Sequence, residues 1–370
     1  MDTAKRIIIS GGGTGGHIFP AIAIANALRQ IDSRTEILFV GALGKMEMDK
    51  VPAAGYQIIG LDIQGFQRNA LFKNLVLPFK VLKSVLHAST IIKNFKPNVV
   101  VGVGGYASGP LLYAASLKNI PILIQEQNSY AGITNKFLGK KASKICVAFD
   151  GMEAFFSAQK IIKTGNPIRQ QSVTIEGKRT EALQYFGLSP IKKTILLTGG
   201  SLGAGTLNKT IMAGLSKLQE NNIQLIWQTG KYYYKGIIEQ YGNQSKDNGI
   251  KIYEFLNRMD FAYAAADIII SRAGAGTIAE LCAVQKPVIL VPSPNVAEDH
   301  QTKNAQALIE KNCALLLADD AAETNLVDAA IKLVNDSKLM QTLSTNIGQL
   351  ALPNADVDIA NQIFKLAQKP

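Results

Sequence analysis

"IIISGGGTGGHIFPAIAIANAL", residues 7–28, holds the first decision about the fold. Ile7-Ile8-Ile9 is a β-branched run, apolar on both faces, as in a strand buried inside a parallel sheet. From Ile18 to Leu28 the apolar residues recur at helical spacing. Between the two, Gly11-Gly12-Gly13-Thr14-Gly15-Gly16 makes a turn where backbone amides converge and no side chain blocks a ligand. A helix beginning near Gly16 aims its positive end at the same spot, so the junction suits an anion, above all a phosphate ester. It is not a P-loop, because His17 and Ile18 follow Gly16 in place of Lys and Ser or Thr. Nor is it a dinucleotide fingerprint: the second strand, "TEILFVGA", ends in Val40-Gly41-Ala42 with no acidic residue for a ribose. The competing reading is a tight strand-to-helix turn that binds nothing.

At 370 residues the chain exceeds one typical core, and two domains are expected. A hydrophobic content of 47% with 18% charged residues fits an ordinary soluble α/β protein. Cys146, Cys282 and Cys313 are isolated, which speaks for a reducing compartment and against a disulfide frame or zinc site. The first residues lack the apolar core of a signal peptide, and no stretch approaches the roughly 20 apolar residues that span a bilayer. The net charge of +11 is uneven: residues 1–167 hold 19 Lys and Arg against 9 Asp and Glu, while the remainder is nearly balanced. From Ile63 to Gln125 there is no acidic residue, but Arg68, Lys73, Lys80, Lys83, Lys93, Lys96 and Lys118 all fall there. A polyanionic partner is therefore expected at the first half.

The strand–glycine–helix design recurs. "NVVVGV" (98–103) runs into Gly104-Gly105-Tyr106-Ala107-Ser108-Gly109-Pro110. "KTILLTGG" (193–200) leads into Ser201-Leu202-Gly203-Ala204-Gly205, and "DIIISRAGAGTIAELCA" (267–283) carries Gly274 and Gly276. The polar turn "KTGNPIRQQ" (163–171) reads as a boundary, giving domains 1–167 and 168–352, with a helical tail 353–370 packing back on the first. Two glycine junctions in each half predict two Rossmann-like domains facing a cleft lined by amide donors, since open α/β sheets bind ligands at the carboxyl ends of their strands. Such a cleft is the architecture of GT-B glycosyltransferases.

"GGGTGGHIFPAIAIA", "GVGGYASGP", "QEQNSYAGITNK", "GNPIR", "GGSLGAGTLN" and "SRAGAGTIAEL" stand in the order found in the MurG family, which the chain resembles from about Ile7 to past Gln301. The resemblance implies inverting transfer of N-acetylglucosamine from UDP-GlcNAc to the 4-hydroxyl of the muramoyl sugar of lipid I, giving lipid II. It implies no cofactor and no nucleic-acid partner. By the same analogy, Arg169 and Ser201 hold phosphates, the backbone of Leu256 meets the uracil, and Glu280 takes the ribose hydroxyls. Gln301 and Asn128 line the sugar pocket, and Thr14, Gly15, Gly16, Ala275, Gly276 and Thr277 complete the donor set. Gly13, Gly104, Gly105 and Tyr106 form the acceptor diphosphate site. Where the family often has Gln-Gln, this chain has His300-Gln301.

An inverting displacement needs a group to take the acceptor proton; His17 is the candidate base and Glu126 the competing carboxylate. The one Asp-x-Asp triplet, Asp356-Val357-Asp358, sits in the tail away from every glycine junction, so no metal site is expected. Within the same fold a UDP-GlcNAc 2-epimerase is the alternative, and a non-catalytic membrane-surface docking subunit is the alternative of another class. The acceptor's polyprenyl tail places the first domain on the cytoplasmic face of the inner membrane. The contact is expected at Leu75, Val76, Leu77 and Phe79 around Pro78, with Leu82 and Leu86 turned into the core.

Overall fold

The computed structural model describes residues 4–65, 77–242 and 249–368. The chain divides into two compact units, Met1–Ile168 together with Pro353–Pro370, and Arg169–Leu352. In the first, β1 (Arg6–Ser10), α1 (Gly15–Ile31), β2 (Glu36–Ala42), α2 (Glu47–Ala53), β3 (Gln57–Leu61) and α3 (Leu77–Phe95) alternate. They are followed by β4 (Val99–Gly102), α4 (Ser108–Leu117), β5 (Ile122–Glu126), α5 (Ile133–Gly139), β6 (Lys144–Val147) and β7 (Ile161–Lys163). The second unit starts with α6 (Gln170–Val173) and α7 (Arg179–Phe186), then β8 (Lys193–Thr198), α8 (Gly205–Glu220), β9 (Ile223–Gln228), α9 (Tyr234–Tyr241) and β10 (Ile250–Tyr253). It continues through α10 (Met259–Ala265), β11 (Ile268–Ser271), α11 (Ala275–Val284), β12 (Val288–Leu290), α12 (His300–Ile309) and β13 (Leu315–Leu316). Helices α13 (Asp319–Asn335) and α14 (Ser337–Gly348) close it, and α15 (Ala355–Ala367) returns to the first unit.

Both sheets are parallel, ordered β3-β2-β1-β4-β5-β6-β7 and β10-β9-β8-β11-β12-β13. Alternation along β1 explains why its run is apolar on every residue. Ile7 and Ile9 join the core formed with α1 and α15, where Ile24, Leu28, Ile359 and Ile363 are buried. Ile8 faces the opposite layer, with Ile91 and Ile92 of α3 and Leu111 and Leu112 of α4. A strand covered on both faces by crossover helices has no polar side to show. In the second unit β8, β9 and β11 bury Ile195, Leu197, Trp227 and Ile270 against α8 and α13.

The topology places the glycine junctions. β1 and β4 are neighbours, and the sheet order reverses between them; β8 and β11 repeat the arrangement. Each of the four glycine turns follows one of these central strands, at the switch point where crossovers diverge to opposite faces and leave a crevice.

Helix α3 corrects one expectation. Its inner face is Ser84, Ala88, Ile91 and Ile92. Leu82 and Leu86 lie on the other side, 60% and 62% exposed, in line with Phe79 at 75%. The helix is packed through its small residues, so the larger apolar ones that looked like core point outward. Arg68, Lys73, Leu75, Val76 and the side chain of Leu77 fall outside the described residues.

One glycine in the second unit is fixed by backbone alone. Gly203 has φ +86, and a Cβ there would overlap the carbonyl oxygen of Thr229 at the end of β9. Gly203→Ala is expected to destabilise the fold by about 1–3 kcal/mol, the usual cost of such local strain. The check is a urea titration, in which the midpoint should move down; an unchanged midpoint would show that the turn is free to shift.

Candidate active site

In the first unit the two glycine junctions touch. Gly105 has φ +82, and a Cβ there would overlap the carbonyl oxygen of Gly12. Gly104 abuts the ring of His17, which a Cβ would approach to 2.8 Å. His17 Nδ1 lies 3.0 Å from Gly12 O and 3.3 Å from Thr14 Oγ1. A carbonyl oxygen only accepts, so the shorter bond assigns the proton to Nδ1 and makes Nε2 the ring's lone-pair nitrogen. In the neutral ring, Nε2 is then the nitrogen able to accept a proton.

The glycines also serve a residue that the sequence did not single out. Glu47, fully buried at the start of α2, accepts hydrogen bonds from the amides of Ala42 and Gly13, both at 3.0 Å. A side chain at Gly12 would overlap its carboxylate, and one at Gly41 would meet its Cγ at 2.6 Å. Part of the glycine cluster is therefore explained by packing around this carboxylate. It also modifies the role of Gly13, whose amide is committed to Glu47 and so is not a donor for a diphosphate in this state. Tyr106 packs beside Gly13, and burial, with the charge of Glu47 adding to it, holds its phenol above the usual range.

Glu126 has a different setting from that of a base. It is only 2% exposed, at the end of β5. Its Oε1 accepts from the Asn128 amide at 3.1 Å and, weakly, from Asn128 Nδ2 at 3.4 Å. Its Oε2 accepts from the Gly132 amide at 3.0 Å and Asn135 Nδ2 at 2.9 Å. Four donors on one buried carboxylate make it the anchor of the loop between β5 and α5. Beside it, Gln125 donates to Asn166 at 2.9 Å, Asn166 donates to Gln127 O at 2.9 Å, and Gln127 Nε2 donates to Val103 O at 2.7 Å. This amide network ties the GNP turn to Val103 after β4; its residues all lie in motifs quoted from the sequence, but their pairing is visible only in the fold.

In the second unit, helix α11 presents the amides of Ala275, Gly276 and Thr277 at its N-terminus, where the macrodipole favours an anion. One turn on, Glu280 accepts a hydrogen bond from the hydroxyl of Tyr263 at 2.9 Å. Burial pushes the Glu280 carboxyl up, and the Tyr263 hydrogen bond and the charge of Arg169 oppose it. Arg169, exposed at the start of α6, is thus brought to the same place. Gln301 uses its Oε1 to accept from the amides of Ala273 at 3.2 Å and Ser293 at 2.9 Å. This fixes the amide's orientation and turns its NH2 end away from those two amides as the donor. His300 pairs with Glu298 at 3.3 Å.

Gln228 links two further predicted residues. Its Nε2 donates to Gly200 O at 3.0 Å, next to Ser201, and its Oε1 accepts from the Leu256 amide at 3.1 Å. Leu256 is buried, and its amide is committed to Gln228. Of the residues expected at the donor nucleotide, Thr14, Gly15, Gly16 and Asn128 belong to the first unit and the others to the second. Tyr263, Glu47 and Gln228 were not found from sequence: each is a polar handle whose partner lies on another element.

Two parallel Rossmann-like sheets with glycine turns at their switch points define the class of the GT-B glycosyltransferases. The comparisons agree. Residues 7–147 match the model of the glycosyltransferase family 28 N-terminal domain, and 194–362 match that of its C-terminal domain. The crystal structure of MurG from Acinetobacter baumannii superposes with TM-score 0.81 at 30% identity, covering 98% of this chain and 99% of that one. A UDP-N-acetylglucosamine 2-epimerase structure, at 16% identity and TM-score 0.65 over 100% of this chain and 98% of that one, shares the fold. A Phocaeicola vulgatus protein is 56% identical, over 100% of this chain and 98% of its own length. One from Bacteroides thetaiotaomicron is 55% identical over 100% and 99%. Both bear the name UDP-N-acetylglucosamine--N-acetylmuramyl-(pentapeptide) pyrophosphoryl-undecaprenol N-acetylglucosamine transferase. The chain belongs to the MurG family.

The Glu280–Tyr263 pair has a measurable consequence. If Glu280 receives ribose hydroxyls, the ionised carboxylate is the binding form. Because its pKa is raised, UDP-GlcNAc affinity should fall on acidification from a higher pH than an ordinary carboxylate would give. Titration calorimetry should show this dependence vanishing in Glu280→Gln, with Glu280→Ala losing about 1.5–3 kcal/mol. Tyr263→Phe should move the transition further up in pH; a pH-independent affinity in the unsubstituted protein would remove Glu280 from the site.

Proposed function

We infer that this chain transfers N-acetylglucosamine from UDP-GlcNAc to the 4-hydroxyl of the muramoyl sugar of lipid I, with inversion, and so makes lipid II. The observation that carries the reading is the full-length identity, 56%, to a protein named for this transfer. The site chemistry is compatible with it at each step. UDP-GlcNAc binds mainly to the second unit: Glu280 takes the ribose, the uracil meets the backbone near Leu256, and Gln301 donates to the sugar. The base removes the acceptor proton, the acceptor oxygen bonds to C1 of the donor sugar, and the bond from C1 to the β-phosphate oxygen breaks. Charge then grows on UDP. The amides at the start of α11 and the Ser201 turn, with Arg169, meet it as dipoles and charge already in place, which lowers the barrier without reorganisation.

His17 is the base in this reading, supported by the tautomer that its bond to Gly12 O selects. Glu126, saturated by four donors, serves the loop instead. The acceptor diphosphate lies against the Gly104–Gly105–Tyr106 turn.

No helix among the described residues is long and apolar enough to cross a membrane. The acceptor is lipid-linked, so we place the first unit on the cytoplasmic face of the inner membrane as a peripheral protein. The exposed stripe Phe79, Leu82 and Leu86 supports contact through α3. Lys83 adds charge on the same stretch, while Lys80 is partly spent on Asp62 at 3.3 Å.

Incubating the protein with UDP-GlcNAc and lipid I should yield lipid II and UDP, also in excess EDTA, because no Asp-x-Asp stands at a glycine junction. Failure to transfer would end the reading; loss only with chelator would reveal a metal. His17→Ala should lower kcat by roughly 10²–10⁴-fold with UDP-GlcNAc affinity retained. Glu126→Gln should instead lower the melting temperature, the loss of one charged hydrogen-bond anchor costing about 1.5–3 kcal/mol. Normal turnover in His17→Ala would transfer the role of base elsewhere.

Flotation with anionic vesicles tests the membrane contact. Binding should weaken with salt, since each basic residue near an anionic leaflet contributes about 1 kcal/mol that salt screens. It should weaken further in Phe79→Ser with Leu86→Ser, and equal flotation of that variant would move the contact off α3.

A further inference from the structure

Glu47 has no part in the chemistry assigned above, yet its side chain is fully buried behind the first glycine turn. A buried carboxyl group needs partners, and here each oxygen has a backbone amide, Ala42 on Oε1 and Gly13 on Oε2. The Gly13 amide is one half of a peptide group whose other half is the Gly12 carbonyl. That peptide is trans, so its N–H and its C=O point in opposite directions. The N–H ends on Glu47 Oε2 at 3.0 Å, and the oxygen ends on His17 Nδ1 at 3.0 Å. A single peptide plane therefore connects the buried carboxyl group to the imidazole ring.

A plane between two glycines is easy to turn over, because neither neighbour has a Cβ to resist and Gly13 already has φ +85. Turned over, it would set the Gly12 oxygen against Glu47 Oε2, acceptor against acceptor. It would also aim the Gly13 N–H at Nδ1, which demands the other tautomer of the ring, with its proton on Nε2. Thr14 cannot make this choice. Its Oγ1 lies 3.3 Å from Nδ1, but a hydroxyl both donates and accepts and so suits either form. Gly104 lies against the ring and limits where it sits, not where its proton is.

We propose that Glu47 is a positioning residue for His17: by locking the Gly12–Gly13 peptide from behind, it keeps the ring's proton on Nδ1 and makes Nε2 the nitrogen that accepts. The importance of this for turnover rests on the reading of His17 as the base. Glu47 never touches the ring. It acts through one peptide group, and hydrogen bonds in a chain polarise one another, so the bond at the far end is strengthened as well as aimed. The glycines on either side then have a shared purpose. Gly12 and Gly41 keep the space that the Glu47 side chain fills, and Gly105 closes on the Gly12 oxygen from the other junction.

Nitrogen-15 NMR of histidine-labelled protein, at a pH where the imidazole is neutral, reads the tautomer directly; the chain has three histidines, and His17→Ala identifies the signal. In the unsubstituted protein the Nδ1–H form should predominate at His17, and a predominant Nε2–H form overturns the proposal with no variant needed. Glu47→Met keeps the length of the side chain and removes both acceptors, so the balance should shift toward Nε2–H. Gly41→Ala, which presses on the Glu47 Cγ, should shift it the same way and carries the test if melting curves show that Glu47→Met does not fold. Turnover gives a second readout. Glu47→Met should lower kcat roughly 10–100-fold, as loss of an orienting partner behind a functional histidine does, with the KM for UDP-GlcNAc unchanged. In the His17→Ala background the same substitution should change kcat little, because the residue it acts through is gone. An unmoved tautomer in the folded variant, or an equal loss of kcat with and without His17, overturns the proposal. Normal turnover in His17→Ala would instead end the reading of His17 as the base, while the spectra still decide whether Glu47 sets its tautomer.

Discussion

The pairing of β1 with β4, and of β8 with β11, is the constraint on which the rest depends. A parallel sheet sends every strand's carboxyl end to one edge, and reversal of strand order at these two pairs parts the crossover helices there. Two glycine turns must then lie side by side in each unit. In the first, they approach so closely that Gly105 has room only for a hydrogen against Gly12 O, and His17 is held between them. The conformation of the candidate base thus depends on the register of two strands, fixed by Ile7 opposite Val99 and Ser10 opposite Gly102.

Buried carboxylates form a second layer of organisation, and they differ by what they accept. Glu47 takes two backbone amides and Glu126 two backbone amides with two side-chain ones, so each has its oxygens occupied by fixed donors and binds its own loop. Glu280 is different. One tyrosine hydroxyl is its hydrogen-bond donor, burial raises its pKa, and the opposing charge of Arg169 keeps the ionised form accessible. A carboxylate left with acceptor capacity is the one suited to a ligand with hydroxyls; a saturated one is part of the scaffold. The contrast cannot be read from residue type, since all three are Glu near a strand or helix end.

For this reason the fold was far more legible than the site. The doubled strand–glycine–helix pattern arises from local periodicity, and β1, α1, β4, β8 and β11 announce themselves by runs of Ile and Val next to glycine. The family could also be read, because its motifs are contiguous. Side-chain partnerships at long range could not. Tyr263 lies among alanines in α10, and nothing local says that its hydroxyl reaches Glu280 on α11. Gln228 looks like the last residue of a strand, yet it bridges Gly200 and Leu256. Leu82 and Leu86 misled because helical periodicity gives a phase but not which face is inside. The small residues Ser84 and Ala88 decide that, by allowing α3 to lie close against its neighbours.

These features bear on how a protein with no membrane-crossing helix among its described residues handles a lipid-linked acceptor. Attraction of a basic surface to an anionic leaflet is long-ranged but weak per charge, and it orients no one lipid. Under the proposed membrane contact, the exposed apolar side chains of α3 would add to it, yet they too are indifferent to which lipid they meet. Selection requires groups that read a head group, and in the proposed reading these are the turns at the strand ends, set by the sheet rather than by the surface. If His17, held by Gly12 O beside those turns, is the base as proposed, it meets a sugar only after the acceptor diphosphate has docked. On that proposal surface charge would govern how often an acceptor is encountered, and strand register whether the encounter leads to chemistry.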